Sequence, residues 1–544
     1  MNRRTIGRLP LEEIVGGTRL LAGLPLFLRR PMNPDRAGIL LQQRLERREA
    51  DFLDLAREAI YEVPASPYRQ LLETAGCELG DLERLVTADG VEGALRTLYS
   101  RGVYLTVDEF KGRQPLIRGS SSIELEPSLL RNPAAGFHML SQTSGSRGAP
   151  IKVPVSLGHI ADRLVDLSLV LQARGGSDWR SAVWGVPGGA ALINVLLFSG
   201  VGHPPDQWFS QIDLARRGLH PRYALSVRML RFGSLLGGVR IPAPRFVPVW
   251  SPLEIAEWMA DVLQAGGTPH LYAYTSTGVS LCRATTEAGR ELRGAKLTLT
   301  GEPITDTRMA TIQGAGAEAT TNYGSNEAGG FIGYGCLEPV TPDEVHLHHD
   351  LHAIVQAEQD EPNAPLPRDA LLISSIRKTA PLILLNVSMG DRANLVRRDC
   401  GCGLERIGWS THLHTIRSFE KLTAGGITFF DTDVIRVLEE VLPKRFGGGP
   451  TDYQLVEEEA PSGNPCLRLL VDPSIGPVDD AVVADAFLDA IGAGSGGPRV
   501  AELVWREAGV LQVERREPER TRSGKILHLH VRSGRAQADS SRRD

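Results

Sequence analysis

Thr143, Ser144 and Ser146 place three hydroxyls beside Gly145, Gly148 and the cation of Arg147, in a stretch that closes on Ala149 and Pro150. Glycines let a backbone bend and approach a ligand closely, and hydroxyls with a guanidinium are groups that a polyphosphate attracts. The stretch is not a Walker loop, because Gly148 is followed by Ala149 and Pro150 where that loop needs Lys and then Ser or Thr. Taken alone, the same residues also describe a surface hairpin. Further along stand Gly301, Glu302 and Pro303, a tight turn after an expected strand over 295–300, where open α/β sheets bind ligands. Then Tyr323, Gly324, Ser325, Asn326 and Glu327 gather an aromatic ring, a flexible glycine, two small polar groups and a carboxylate. A nucleotide site uses all of these: a ring to stack on a base, amides for phosphate, and a carboxylate for Mg²⁺. A plain polar turn uses them too. Asp391 follows an expected strand over 382–387 and suits a ribose diol, since a carboxylate accepts from two hydroxyls; a turn or helix cap is its other reading. Lys525 sits in a loop near the C-terminus, in the string Ser523-Gly524-Lys525.

The elements that must position these groups read as α/β. Residues 38–98 carry apolar positions at helical spacing, a helical entry region. From 103 onward short β-rich runs (103–107, 151–155, 270–273, 295–300) alternate with helical stretches (160–172, 258–266, 275–289), which predicts an α/β core. Beyond 426 a small α+β lobe is expected, with helices over 433–442 and 481–491 and strands over 453–456, 467–471, 499–504 and 510–513. Residues 175–245 hold Trp179, Trp184, Gly188, Gly189 and Trp208, which either line an apolar pocket or anchor a core.

Composition excludes some functions. The 544 residues are 42% hydrophobic and 23% charged, long enough for a large core. With 60 basic against 65 acidic residues and a net charge of −5, no nucleic-acid partner is indicated. No secretory segment is evident, and the most apolar run, 190–202, is too short to span a bilayer, so a cytoplasmic protein is expected. Residues 20–28 either pack internally or dock an apolar face on a membrane or partner. Six cysteines in so long a chain are no disulfide framework.

In this order the motifs resemble the adenylate-forming (AMP-binding) enzyme superfamily, and within it the phenylacetate–CoA ligase branch. The family's T-S-G-T-T-G-x-P resembles 143–150, its G-G-E-P resembles 300–303, and its Y-G-x-T-E resembles 323–327. Its T-G-D is similar to Met389-Gly390-Asp391, its hinge segment to 417–430, and its terminal S-G-K to Ser523-Gly524-Lys525. The C-x-C-G of Cys400 to Gly403 is also typical of the branch.

The resemblance implies a large N-terminal adenylation domain of mixed sheets and helices over 1–417, a small mobile α+β lobe over 418–531 and a polar tail over 532–544. It implies ATP-dependent activation of an aryl or acyl carboxylic acid to acyl-AMP, with release of pyrophosphate. Transfer to a thiol follows, coenzyme A or a carrier protein; an amine or hydroxyl acceptor, or a degenerate binding protein, are the competing readings. Thr143, Ser144, Ser146 and Arg147 would hold the β- and γ-phosphates, Glu327 Mg²⁺, Tyr323 adenine, and Asp391 the ribose with Arg417 as its partner. Lys525 would bridge the attacking carboxylate and the α-phosphate. Asn326 replaces the family's Thr but still donates to an α-phosphate oxygen; Phe419, Gly425 and Thr428 depart from the hinge pattern. Cys336, His346, Cys400 and Cys402 have the right count for tetrahedral structural Zn²⁺, as at similar positions in some relatives, with His348 as the competing imidazole.

Overall fold

The computed structural model describes residues 11–142, 151–215, 219, 221–249, 251–302, 304–358, 366–418, 423–424, 427–428, 434, 436–449, 452–459, 465–493, 497–519 and 529–531. Residues 143–150, Pro303 and Lys525 therefore lie outside the described residues.

A twelve-stranded sheet organises the large unit. Six of its strands are parallel, in the spatial order Arg245–Phe246, Gln207–Ser210, Arg180–Gly185, Pro269–Tyr274, Lys296–Thr300 and Glu318–Ser325. Helices connect them (Gly189–Gly200, Arg222–Leu236, Leu253–Gln264, Thr275–Glu287, Asp306–Gly314), as parallel pairing demands of its crossovers. The chain starts in the middle at Arg180–Gly185, steps to one edge, and returns on the other side at Pro269–Tyr274. Neighbouring strands there lead away in opposite directions, so a crevice opens beyond Gly185 and Tyr274.

Past Glu318–Ser325 the sheet continues antiparallel through Gly330–Gly335, Val345–Leu347, Thr411–Ser418, Val387–Arg397, Ala370–Ser375 and His352–Gln356. The cause of the switch is the short turn after Ser325, which leaves no room for a crossover. Helix Leu157–Ala173, capped by Ser156 whose Oγ accepts from His159 N at 3.0 Å, is buried along most of its length. The expected helical entry region forms as Pro34–Glu46, Arg48–Ala56, Pro67–Thr74 and Leu79–Ser100. A helix Leu11–Leu28 precedes it and turns Leu20, Leu24 and Leu28 into the core, so internal packing claims that face of 20–28.

Four expectations need correction. Residues 382–386 are not strand: Asn386 has φ 51°, and its amide donates to the carbonyls of Leu95 (2.8 Å) and Val103 (3.1 Å), tying the segment to the helical region. The strand is Val387–Arg397, which puts Asp391 inside it and not after its end. Residues 103–107 make only a single bridge, Leu105 to Val387, before the helix Val107–Phe110. Residues 499–504 fall within helix Gly497–Ala508, where Glu502 takes Arg499 and Arg506 at i−3 and i+4 (2.7 and 2.8 Å) and Leu503 and Val504 face inward.

The small C-terminal sheet has the order Leu511–Arg515, Pro465–Val471, Tyr453–Glu459, Leu529–Val531, backed by helix Asp480–Ile491. Its core cluster takes in Ile212 and Tyr223 of the large unit, with Val186 packed against it. This places the lobe beside the crevice.

Candidate active site

The turn after Lys296–Thr300 needs its glycine. Gly301 has φ 83°, and a Cβ there would stand 2.9 Å from the Tyr274 ring. Glu302 is buried and its Oε2 accepts from Arg308 Nη1 at 3.2 Å, while Thr275 Oγ1 donates to the Glu302 carbonyl at 3.0 Å. The turn is thus fixed from both sides, one strand away from the Tyr323 string: Asn322 lies opposite Thr300, whose Oγ1 donates to the Asn322 carbonyl at 3.2 Å.

Tyr323 and Gly324 straddle a shift in register against Gly330–Gly335. A Cβ on Gly324 would lie 2.1 Å from the Gly330 carbonyl oxygen, so only glycine lets the two backbones approach. Ser325 Oγ then accepts from Ala328 N (3.1 Å) and the Asn326 carbonyl from Gly329 N (3.0 Å), which presents Glu327, partly exposed, on a closed turn. Helix Leu157–Ala173 anchors that turn, with His159 Nε2 at 2.8 Å and Arg163 Nη1 at 3.2 Å from the Gly329 carbonyl. Burial pushes His159 down to about 4, so the ring is neutral and its Nε2 carries the donated proton.

The Tyr323 hydroxyl donates to Asp391 Oδ2 at 3.0 Å. Burial first, and then the Asp391 charge and this bond, hold the phenol well above its usual range. The structure therefore joins residues 68 apart in sequence. Arg417 lies on the strand beside Asp391, with Arg392 opposite Arg417, and its guanidinium pairs with Asp343 at 2.7 Å. Asp343 also accepts from the backbone N–H groups of Thr415 (3.0 Å) and Ile416 (2.8 Å). Asp343 was not among the residues singled out in the sequence, where it stands in an unremarkable acidic turn.

Thr143, Ser144, Gly145, Ser146, Arg147 and Gly148 lie outside the described residues, but the strands flanking them are a hairpin, Met139–Gln142 on Lys152–Val155, with Gln142 opposite Lys152. Ser141 Oγ in that hairpin is buried, has no hydrogen-bond partner among the described residues, and stands 3.6 Å from where a Cβ on Gly189 would be. The hairpin base thus sits at the start of helix Gly189–Gly200, which follows the crevice strand Arg180–Gly185.

Beneath the Tyr323 string, between helix Leu157–Ala173 and the sheet, runs a narrow, mostly apolar cleft of ≈ 20 Å³, room for a water or two. Leu167, Val170, Leu171 and Arg174 line one wall at i, i+3, i+4 and i+7, and Tyr272, Phe331 and Tyr334 bring aromatic rings to the other. Trp184 is not in it: its Nε1 donates to the Val247 carbonyl at 3.1 Å within a separate core cluster, so the core reading of that tryptophan holds.

Away from this crevice, one ligand atom from each of Cys336, His346, Cys400 and Cys402 comes within 4.8 Å of the others. His346 Nε2 is 3.2 Å from Cys402 Sγ and 3.6 Å from Cys400 Sγ, while its Nδ1 is 2.6 Å from the Trp409 carbonyl oxygen. A carbonyl only accepts, so the proton is on Nδ1 and the Nε2 lone pair faces the sulfurs. The hydrogen bond from Cys336 pulls the Cys402 thiol down and pushes Cys336 up, while burial pushes Cys400 up, so Cys402 is the thiol most ready to ionise. His348 is excluded: its ring lies between Tyr334 (4.5 Å) and Trp409 (4.7 Å). These donors fit tetrahedral Zn²⁺.

The chain matches no protein-family model and no curated protein sequence. Solved structures do resemble it. A 2-hydroxyisobutyryl-CoA ligase, solved with 2-HIB-AMP and CoA, is 12% identical with a TM-score of 0.50, over 92% of this chain and 91% of that one. The amide bond synthetase McbA from Marinactinospora thermotolerans is 13% identical with a TM-score of 0.42, over 94% and 98%. The first likeness shows the fold that this chain shares with that ligase, a mixed α/β architecture with a large sheet and a smaller C-terminal sheet. No helix among the described residues is long and apolar enough to cross a membrane.

Proposed function

We propose that this chain is an AMP-forming acid–thiol ligase, which activates a carboxylic acid with ATP and passes the acyl group to coenzyme A. The carrying observation is the convergence of the Gly301 turn, the Tyr323 string and Asp391 at one end of the sheet, with Tyr323 Oη 3.0 Å from Asp391. Ligands bind at that end in open α/β sheets.

In the first step a carboxylate oxygen attacks the ATP α-phosphorus, a P–O bond forms, and the bond to pyrophosphate breaks. Negative charge builds on phosphate oxygens, so positioned donors serve better than a general base. Thr143, Ser144, Ser146 and Arg147 bind the outgoing phosphates, and Asn326 donates to the α-phosphate. Tyr323 faces the adenine, Asp391 accepts from the ribose, and Arg417, steadied by Asp343, supports the neighbouring strand. Glu327 is the oxygen ligand for Mg²⁺, which when bound neutralises phosphate charge. Lys525, in the lobe of 418–531, bridges carboxylate and α-phosphate; movement of that lobe relative to 1–417 then admits the thiol. Cys336, His346, Cys400 and Cys402 hold a structural zinc, in keeping with the phenylacetate–CoA ligase branch and a cytoplasmic setting.

The test is ATP-dependent pyrophosphate release across a panel of aryl, fatty and amino acids, each with and without coenzyme A. Acid-dependent release yielding a CoA thioester is expected, and Lys525→Ala should lower release at least ~1,000-fold with an unchanged melting temperature. Wild-type release from Lys525→Ala removes the lysine from the mechanism; acid-dependent release without thioester removes coenzyme A as acceptor.

A further inference from the structure

Helices Leu11–Leu28 and Arg222–Leu236 lie side by side and parallel on the flank of the large unit. A Cβ on Gly17 would meet Met229, one on Gly233 would meet Leu24 and Leu21, and one on Gly237 would meet Leu28 and Pro25, so the contact runs in step along both. Each helix turns one face inward, with Leu20, Leu24 and Leu28 on the first and Tyr223, Val227 and Leu230 on the second. A helix that only covers a core is polar on its other face. Here the outer face is apolar. Leu225, Phe232 and Leu236 recur at i, i+7 and i+11 of the second helix, one stripe, with Leu235 beside it. All four are exposed, Phe232 by 58% and Leu235 by 64%, and so are Ile14 and Leu26 of the first helix. Among the described residues these two helices hold six of the thirteen exposed large apolar side chains, which makes a patch and not a scatter.

The charge around the patch is of one sign. The sequence has no Asp or Glu from Ile14 to Pro34 and none from Leu214 to Leu253, in a chain with 65 acidic residues. Both stretches carry arginine: Arg19, Arg29 and Arg30 in the first, Arg228, Arg231 and Arg240 among those in the second. Arg29 Nη2 lies 3.5 Å from the Leu236 carbonyl oxygen, which sets that charge at the edge of the patch, and Arg228 and Arg231 are exposed on the same helix as the stripe. Two carboxylates that flank these stretches in sequence are engaged with other cations, Glu12 with Arg131 (3.7 Å) and Lys152 (3.6 Å), and Glu254 with Arg245. Among the described residues no carboxylate pairs with Arg29, Arg30, Arg228 or Arg231.

A second copy of this chain, docked through the same face, would set arginine against arginine. An anionic bilayer answers both features of the patch: phenylalanine and leucine enter the headgroup boundary, while arginines lay their apolar stems along it and carry their charge to the headgroups. The second helix also starts at the crevice, since a Cβ on Gly188 would stand 2.7 Å from the Tyr223 ring. A protein docked on this face keeps the crevice beside the lipid surface.

We infer that the outer face of these two helices docks on an anionic membrane surface, with Leu26, Phe232, Leu235 and Leu236 inserted and Arg29 and Arg228 on the headgroups. The attachment is peripheral, as no described helix is long and apolar enough to cross a membrane, and it stands independently of the ligase reading.

Co-sedimentation of the full-length protein with vesicles tests this. Binding to vesicles of phosphatidylcholine with phosphatidylserine is expected, at least ~10-fold tighter than to phosphatidylcholine alone, and weakening as salt is raised. Phe232→Ser combined with Leu236→Ser should lower binding at least ~10-fold with an unchanged melting temperature, since both side chains are exposed in the folded protein. Arg29→Gln combined with Arg228→Gln should lower it about 25-fold on the anionic vesicles, about fivefold per charge, and leave binding to the neutral ones unchanged. Ile117→Ser, exposed on the separate hairpin of Leu116–Arg118 and Ser121–Ile123, should bind as wild type does. Failure of wild type to bind the anionic vesicles at low salt overturns the proposal, as does wild-type binding by the apolar and arginine variants. Self-association that Phe232→Ser abolishes, without vesicle binding, overturns it in favour of a second copy on this face.

Discussion

Asp391 and Tyr323 engage each other before any ligand arrives, through a bond of 3.0 Å that a ribose hydroxyl would have to share. A carboxylate has lone pairs for more than one donor, so the pair is compatible with diol binding and also orients the tyrosine ring. Asp391→Asn should raise the KM for ATP about 10- to 100-fold, the worth of a charge-assisted hydrogen bond, whereas Tyr323→Phe should change it only a few-fold because the ring remains. Pyrophosphate-release kinetics at varied ATP check both, and equal effects would mean the phenol, not the carboxylate, makes the decisive contact. At the thiol cluster, the His346 ring is pre-aimed by the Trp409 carbonyl, so Cys402→Ser should abolish stoichiometric zinc and lower the melting temperature of the metal-loaded protein by several degrees. Elemental analysis with thermal melts reads this directly, and a metal-free wild type would remove the site.

Helix Leu157–Ala173 links the turn and the cleft. His159 and Arg163, near its start, hold the Gly329 carbonyl, and Arg174 just past its end closes the cleft. One rigid helix therefore anchors the turn that carries Glu327 and walls the cleft. The other element under strict constraint is the bulged strand pair at Tyr323–Gly324, where backbones approach too closely for any Cβ. Gly324→Ala should force that pair apart, costing about 2–3 kcal/mol of stability by overpacking, and should displace Asn326 and Glu327 together. Urea unfolding measures the first effect. Pyrophosphate release should fall more than the stability loss explains, and unimpaired release would show that the turn does not position reacting groups.

At the scale of the molecule, a parallel half provides the crevice and an antiparallel half carries Asp391 and Arg417 up to it. Building that continuous sheet buries several imidazoles. Burial pushes His159 and His352 from 6.5 to about 4 and His270 well below 6.5. A histidine that resists protonation when folded takes up its proton only in the unfolded chain, so stability is lost as pH falls from about 6.5 toward 4, by about 1.4 kcal/mol per pH unit for each such ring. The buried Asp166 works the other way: burial, reinforced by the charge of Asp350, raises it well above 3.8, so the stability it contributes fades as pH rises instead. His348 and His349 are lowered by burial as well, and against these five rings stand two raised carboxyls, Asp166 and Asp350, so urea midpoints should drop steeply between pH 6.5 and 4. A flat profile over that window would mean that these rings are protonated in the folded protein.

Much of the site is written in contiguous residues. The glycine turn at 301, the string from Tyr323 to Glu327 and the Cys-Gly-Cys at 400–402 each act through local backbone geometry, and such geometry is legible in sequence. The alternation of strands and helices after 151 likewise gave the α/β class, because crossover length and hydrophobic period are local quantities. The failures lie at 382–386, which have strand-like side chains yet whose Asn386 amide bonds the helical region, and at 499–504, which lie in a helix that pairs Glu502 with two arginines and buries Leu503 and Val504. Tertiary structure alone decided that Asp343 meets Arg417 across 74 residues, that His346 and not His348 turns toward the cysteines, and that Arg174 reaches Thr298 across the cleft. Each of those depends on register between strands, or on which face of a helix meets a sheet, and such distant alignments are set by packing the whole core at once.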